Sequence, residues 1–414
     1  MSTPVKAREA DSFIESIGVA AHINYIAGSD EFYNIVKPAL GELGVRYVRD
    51  GGSSKEFKES VREVYRDYGI KFTLVIDPRD GYSGLSVPQD IILPLLGAVV
   101  AVEGPNEWDV NERLTYKGSN FPDGVRRFQN EMYKAVKNFN HPNLSVRDKV
   151  RRVQVLTPSI ANANNGHRLG QVSADGGNMH SYTGGMLPDQ DLDKKWLPLT
   201  KEMLDNRSKP LVATETGWCN DLSSPDACTG QGGVSEKATA KYIPRMYLEY
   251  FRRGIQRCHV YNFSTDEWSS FLRRDGSKRP AFYAVKSMIA LLKDPGPRFS
   301  PRSLDFKIRG NTSDLRSLLL QKRNGTFYLV LWLNTLSFKK SGGGGGEDID
   351  SQRNVEVAFG SKVSSVRVFQ PSFNGTSTVK TLSASRAVRV TVPDHPLILE
   401  ISTGKGSPPP SRPR

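Results

Sequence analysis

Cysteine, long apolar runs and metal-spaced histidines are what this 414-residue chain has least of. Three cysteines exclude the disulfide framework that holds small secreted domains together. Only Cys219 and Cys228 are placed to close a loop, around the polar stretch NDLSSPDA, and from sequence a bridge and two free thiols are equally open. Cys258, within RCHVYNF, reads as a core residue. No stretch approaches the roughly 20 apolar residues of a membrane span. The opening residues MSTPVKAREADSF lack the apolar segment of a secretory signal. The six histidines show neither HExxH nor His-x-His spacing, and GGGGGEDID is not a calcium loop, so no metal is expected. No glycine-rich phosphate fingerprint follows the first predicted strand, which argues against a doubly wound nucleotide-binding sheet.

Negative charge is also short. Lysine plus arginine number 57 against 44 aspartate plus glutamate, giving +13. Such a surplus suits polyanions, and an acidic polysaccharide is the functional reading beside the plainer one of a solvated basic surface. No zinc-finger spacing, basic helix or aromatic-basic motif accompanies it, so nucleic acid is not expected as a partner. Asn-X-Ser/Thr sequons at Asn143, Asn206, Asn311, Asn324 and Asn374 suit a secreted or cell-surface protein whose signal is absent from this sequence. A sixth sequon, at Asn262, falls in a predicted buried strand. Oligomeric state leaves no signal.

What the chain does have is alternation. Strand-like runs at Ile17–Ile23, Val45–Arg49, Ile70–Ile76, Ala98–Glu103, Val153–Leu156, Gly177–Tyr182, Leu211–Glu215 and Arg257–Phe263 are separated by helix-like stretches. The clearest helices are Lys55–Asp67, Pro88–Leu96, Gly124–Asn138, Glu236–Arg253 and Ala281–Leu292. Eight strand–helix units in about 280 residues match a (β/α)₈ barrel in number and length. After the break DPGPRFSP the pattern turns to short β-rich runs with almost no helical period, which reads as an antiparallel sandwich. The expected fold class is therefore α/β, a (β/α)₈ TIM barrel over residues 1–296 followed by a smaller all-β sandwich over 297–403. Ser341–Gly346 reads as a mobile loop, and 404–414, low in complexity, as a disordered tail.

In such a barrel the reactive side chains collect at the C-terminal ends of the strands. That rule selects His22 and Asn24 after the first strand, Arg49 and Asp50 after the second, and Asp77 after the third. The fourth strand ends in GPNEWD, with Asn106, Glu107 and Trp108. His180 and Tyr182 follow the sixth strand, Glu215 and Trp218 the seventh in ATETGW, and Asp266 to Trp268 the eighth. Two carboxylates at buried strand ends, about a hundred residues apart, suit glycosidic cleavage by an acid and a nucleophile. Glu103 lies deeper on the strand of Glu107 and reads as buried and paired.

Asn-Glu ending the fourth strand and Glu ending the seventh resembles the clan A glycoside hydrolases, the "4/7" retaining enzymes. With its C-terminal β-sandwich the organisation is similar to families 5 and 39. The resemblance covers the barrel, about two thirds of the chain, and implies no cofactor. It implies that Glu107 is the acid/base, with a raised pKa, and Glu215 the ionised nucleophile. Asn106 would bind the sugar 2-hydroxyl, Arg49 would pair with Glu215, and Tyr182 would place its hydroxyl near the nucleophile. His180 and His22 would line the cleft, while Trp108, Trp218 and Trp268 offer flat faces to sugar rings. A β-linked polysaccharide or oligosaccharide is the implied substrate. The rival is a non-catalytic carbohydrate-binding protein on the same scaffold.

Overall fold

The computed structural model describes residues 4–403, apart from 112, 224–226, 266, 267, 269, 270, 342–344, 372, 376, 377 and 384. The tail expected at 404–414, residues 342–344 of the loop expected at 341–346, and Asp266 lie outside the described residues.

Eight parallel strands form the barrel: β1 (Ile17–Ala20), β2 (Tyr47–Asp50), β3 (Lys71–Val75), β4 (Val99–Glu103), β5 (Gln154–Leu156), β6 (Gly177–His180), β7 (Leu211–Thr216) and β8 (Arg257–Val260). They neighbour one another in the order β5-β4-β3-β2-β1-β8-β7-β6. A single parallel bridge between Leu156 and Gly176 joins β5 to β6 and closes the ring. Strands such as VVAVE and LVATET are buried on both faces, as parallel strands under helices must be, and so read as near-continuous apolar runs. β1, β6 and β8 stop two or three residues short of their expected ends. At β1 the reason is local: His22 adopts a left-handed backbone, φ 52°, which turns the chain out of the ladder.

The helices follow from ordinary signals. In α1 (Lys55–Tyr68), Ser54 accepts from the Phe57 amide at 3.0 Å, and Phe57, Ser60, Val61 and Val64 form the buried stripe. Gly69, at φ 69°, ends it by donating back to the Tyr65 carbonyl. α2 (Asp123–Lys137) is equally regular. α3 (Leu144–Arg152) was not legible, because LSVRDKVRR buries Val150 alone and has no apolar stripe. The helix expected at Pro88–Leu96 shrinks to one wide turn at Pro88–Ile92. α4 (Glu236–Arg252) is buried from Ala238 to Phe251 because it is clasped from two sides. Tyr247 donates to the β1 carbonyl of Gly18 at 2.7 Å, while Arg245 donates to Thr335 O and Lys241 to Asp394 at 2.9 Å, both in the β domain. α5 (Pro280–Leu292) completes the layer.

The β domain comprises β9 (Phe306–Gly310), β10 (Leu315–Gln321), β11 (Phe327–Leu333), β12 (Gln352–Phe359), β13 (Ser365–Gln370), β14 (Thr378–Leu382), β15 (Ala387–Pro393) and β16 (Leu397–Ser402). Its sheets run β9-β12-β15 and β14-β13-β16-β11-β10, packed over Leu319, Leu329, Val357, Val366 and Leu399. The chain's beginning joins this domain. Arg8–Glu9 extends the larger sheet in parallel with β10, and Val5–Lys6 pairs antiparallel with Ser303–Leu304. Val5–Glu9 thus takes its strand partners from the β domain, while Arg8 Nη1 donates to Phe251 O of α4 at 2.6 Å.

Candidate active site

One cleft of about 450 Å³ is lined by the ends of β1–β4, β7 and β8. Its floor is a chain of buried polar groups. Arg49, on β2 and only 4% exposed, donates from Nε to Glu103 Oε1 at 2.8 Å and from Nη2 to Asn106 Oδ1 at 2.6 Å. Its Nη1 donates to Glu215 Oε1. Tyr182 donates to the other Glu215 oxygen at 2.7 Å.

The strand-four end is fixed differently. Asp77, buried after β3, accepts from the Asn106 amide at 3.0 Å and from the Trp108 indole at 3.1 Å. Arg79 forks onto the same carboxylate at 2.9 Å. This clamp shapes the turn that holds Glu107 at φ 55°. A non-glycine residue in that region costs about 1–2 kcal/mol, so the surroundings must over-determine it. His22 is strained in the same way, and both line the cleft.

Between the two glutamates stands His180, fully buried. Its Nδ1 lies 2.6 Å from Glu107 Oε1 and 3.6 Å from Glu215 Oε2. Its Nε2 lies 3.2 Å from Thr214 Oγ1. Thr214 gives its one hydroxyl proton to Asn178 Oδ1 at 2.6 Å, and Asn178 Nδ2 donates to Glu103 Oε2 at 2.8 Å. With its proton spent, Thr214 can only accept from His180, so Nε2 carries the N–H. Nδ1 is then the atom that shares a proton with Glu107. The network thus assigns the tautomer.

Electrostatics separate the groups. Burial alone pushes Glu215 up, but His180, Arg49 and the Tyr182 hydroxyl prevail and hold it down at about 2. Burial pulls His180 down, yet the charges of Glu215 and Glu107 leave it above its ordinary value. Tyr182, buried against Glu215, is held far above its own and remains a donor. His22 is lowered to about 4 by burial and by Arg49, so it is neutral near pH 7. Burial raises Asp50 to about 7 although its oxygens accept from the Ile23 amide at 2.6 Å and the Gly51 amide at 2.8 Å.

One ligand atom from each of Glu107, His180 and Glu215 lies within 4.8 Å of the others. That spacing would also suit a cation, but the guanidinium of Arg49 is already bound to Glu215. A dication there would face a fixed positive charge, so a shared proton is the better occupant.

The residues expected at the site separate into two groups. Arg49, Asn106, Glu107, His180, Tyr182 and Glu215 come together, and His22 lines the same cleft, stacked on Tyr25 and edge-on to Tyr261. Two tryptophans need correction. Trp108 is 2% exposed, with its indole turned down to Asp77. Trp218 is 1% exposed, stacked on Tyr242 and donating to the Met186 carbonyl at 2.9 Å. Neither offers a face to a sugar. Trp268 packs against Tyr182 and Tyr261 at 5.2 and 5.6 Å between ring centres. Tyr25 and Tyr261 were missed, although both follow barrel strands by the rule that found the rest. The positive charge of the chain is not gathered here either. Arg49 and Arg79 are each paired, beside Asp50, Asp77, Asp80, Glu107 and Glu215. Cys219 and Cys228 form a disulfide in the loop after β7.

No family model and no curated protein matches the chain. Among solved structures, the GH51 alpha-L-arabinofuranosidase of Thermotoga petrophila superposes with a TM-score of 0.59 at 11% identity, covering 96% of this chain and 98% of that one. A GH39 beta-xylosidase from Caulobacter crescentus gives 0.54 at 11% identity, over 97% and 98% of the two chains. At such identity the likeness is one of fold. The barrel with its β domain is the arrangement that the clan A resemblance implies.

Proposed function

We propose that this chain is a retaining glycoside hydrolase. The observation that carries the reading is the pair Glu107 and Glu215, bridged by His180 at the ends of β4 and β7. Retaining enzymes bring their carboxyl groups to about 5–5.5 Å, and the short spacing here suits that class. Two fold relatives named as glycosidases support the same chemistry.

Glu215 is the nucleophile. Arg49 and Tyr182 keep it ionised and aim it, and attack on the anomeric carbon forms a glycosyl-ester while the glycosidic C–O bond breaks. Glu107 delivers the proton to the departing oxygen, then takes one from the water that hydrolyses the ester. His180 Nδ1 holds Glu107 in place and exchanges the shared proton with it. Asn106, braced by Arg49 and by Ser159 Oγ at 3.2 Å, is placed to bind the sugar 2-hydroxyl.

The substrate in this reading is a β-linked oligosaccharide or polysaccharide built of uncharged sugars. The paired state of both lining guanidiniums gives a uronic or sulfated glycan no counter-charge. The Cys219–Cys228 bridge supports a secreted or cell-surface location, where disulfides persist.

The test is reducing-end release from neutral and acidic polysaccharides by the wild type and by Glu215→Gln, with the anomer of the first product read by NMR. Activity lost in the variant, with retained anomeric configuration, is expected. An inverted product or an unaffected variant overturns the mechanism. Binding without turnover on every polymer would favour the non-catalytic rival.

A further inference from the structure

The cleft does not end at the reacting pair. From Glu215 it continues past His22 to Asn24 and Tyr25 on one side, and along Asp77, Arg79 and Asp80 on the other. Tyr25 is 76% exposed, yet it is braced, its ring stacked on His22 at 5.2 Å with 12° between the planes. Trp108 and Trp218 are buried and Trp268 is packed among tyrosines. Tyr25 is therefore the described lining residue with the most open aromatic surface, of the kind a sugar ring's C–H face covers.

Two oxygen acceptors line the same cleft. Asn24 Oδ1 is buried within the wall and has no hydrogen-bond partner, a condition that calls for a donor. The Asp80 carboxylate, exposed at the mouth, is raised by burial of part of its surface and by the charge of Asp77. An open aromatic face in one cleft with two oxygen acceptors matches a sugar, which offers a C–H face and hydroxyl donors. Asp77 and Asp80 are poor company for a carboxylate or sulfate.

We propose that Asn24, Tyr25 and Asp80 form a second sugar subsite, holding an uncharged residue of the substrate chain beside the one whose bond is cleaved. This rests on the reading of Glu107 and Glu215 as the reacting pair. It makes the preferred substrate a chain rather than a single glycosyl unit on any leaving group.

The experiment compares wild type, Tyr25→Ala and Tyr25→Phe on two matched series. One is 4-nitrophenyl glucoside, xyloside and mannoside, which carry a single sugar. The other is the cello-, laminari-, xylo- and manno-oligosaccharides. In the sugar series that the wild type cleaves, Tyr25→Ala is expected to lower kcat/KM about tenfold or more on the oligosaccharides. It should leave the nitrophenyl glycoside within about twofold, and Tyr25→Phe should keep both rates. Equal losses on both series, or none on either, overturn the subsite while leaving the reacting pair intact. A wild type silent on both series overturns the glycosidase reading first, and the subsite with it. Because Tyr25 is exposed, the alanine variant should fold, and its unfolding midpoint checks this.

Discussion

Glu215 leaves β7 with 9% of its side chain exposed and with Arg49, Tyr182 and His180 turned onto it. Glu107 leaves β4 with 29% exposed, on a left-handed backbone, and with His180 as its side-chain partner. The two side chains are chemically identical. What separates them is the number of fixed donors each meets. Two donors, Arg49 and Tyr182, and the nearby His180 charge make one a permanent anion, whereas a histidine whose other nitrogen is committed leaves the second a route for its proton. Role is assigned by the neighbours, and the neighbours are assigned by strand order.

The comparison breaks most visibly by mutation. Glu215→Gln is expected to lower kcat by about a thousandfold or more on every substrate, since the covalent step is gone. Glu107→Gln should match that loss on oligosaccharides but retain most of the first-step rate on nitrophenyl glycosides, whose leaving group needs no proton. Pre-steady-state release of nitrophenol reads the split, and identical losses for both variants would erase the distinction.

Next in size is the loss of the shared cation. Arg49→Met leaves Glu103 buried without a positive partner and Glu215 with His180 alone, and breaking such a buried pair costs about 3–5 kcal/mol. Urea unfolding should show it; a loss below about 1 kcal/mol, the range of exposed pairs, would mean that the floor is wet.

The pH dependence sharpens the contrast further. Glu215 is depressed from 4.5 to about 2, so its ionised form stabilises the fold above 4.5, and that contribution disappears as pH falls from 4.5 towards 2. His180 is raised, so its contribution is complete below its unfolded value of 6.5 and is lost as pH rises through its higher folded value. Thermal midpoints of wild type and Glu215→Gln should converge on the acid side. Those of wild type and His180→Gln should converge on the alkaline side, and parallel curves would contradict both assignments.

The smallest effect belongs to Thr214→Val, which removes the acceptor that commits His180 Nε2. A hydrogen bond of this kind is worth about 1 kcal/mol. The telling readout is the alkaline limb of the pH–rate profile, which should move. A profile identical to wild type would mean that the tautomer is set by something other than Thr214.

Strand order was the legible part. Alternating apolar runs marked the barrel, and the rule that strand ends carry chemistry pointed to Arg49, Asn106, Glu107, His180, Tyr182 and Glu215 before any distance was known. Trp108 and Trp218 were misread because sequence places a residue near a strand end but not the direction of its ring. Asp77 and Glu249 satisfy buried indole donors that periodicity cannot register, Glu249 accepting from Trp332 at 3.0 Å. β9 and β14 escaped notice because FKIRG and TVKTL are short and interrupted by charge. The relay through Asn178 and Thr214 joins neighbouring strands side by side, a relation that exists only once the ring has closed.

The pairing of Val5–Glu9 with the β domain has a consequence in time. Arg8 waits for Leu320 and Val5 for Leu304, with the whole barrel made in between. At a synthesis rate of roughly 5–20 residues per second, the first strand spends some tens of seconds without its partner. Any part of the barrel that forms in that interval forms while Val5–Glu9 is without its strand partners. Protection of Val5–Glu9 from proteolysis only after the β domain has been made is the mark this order of events should leave on the growing chain.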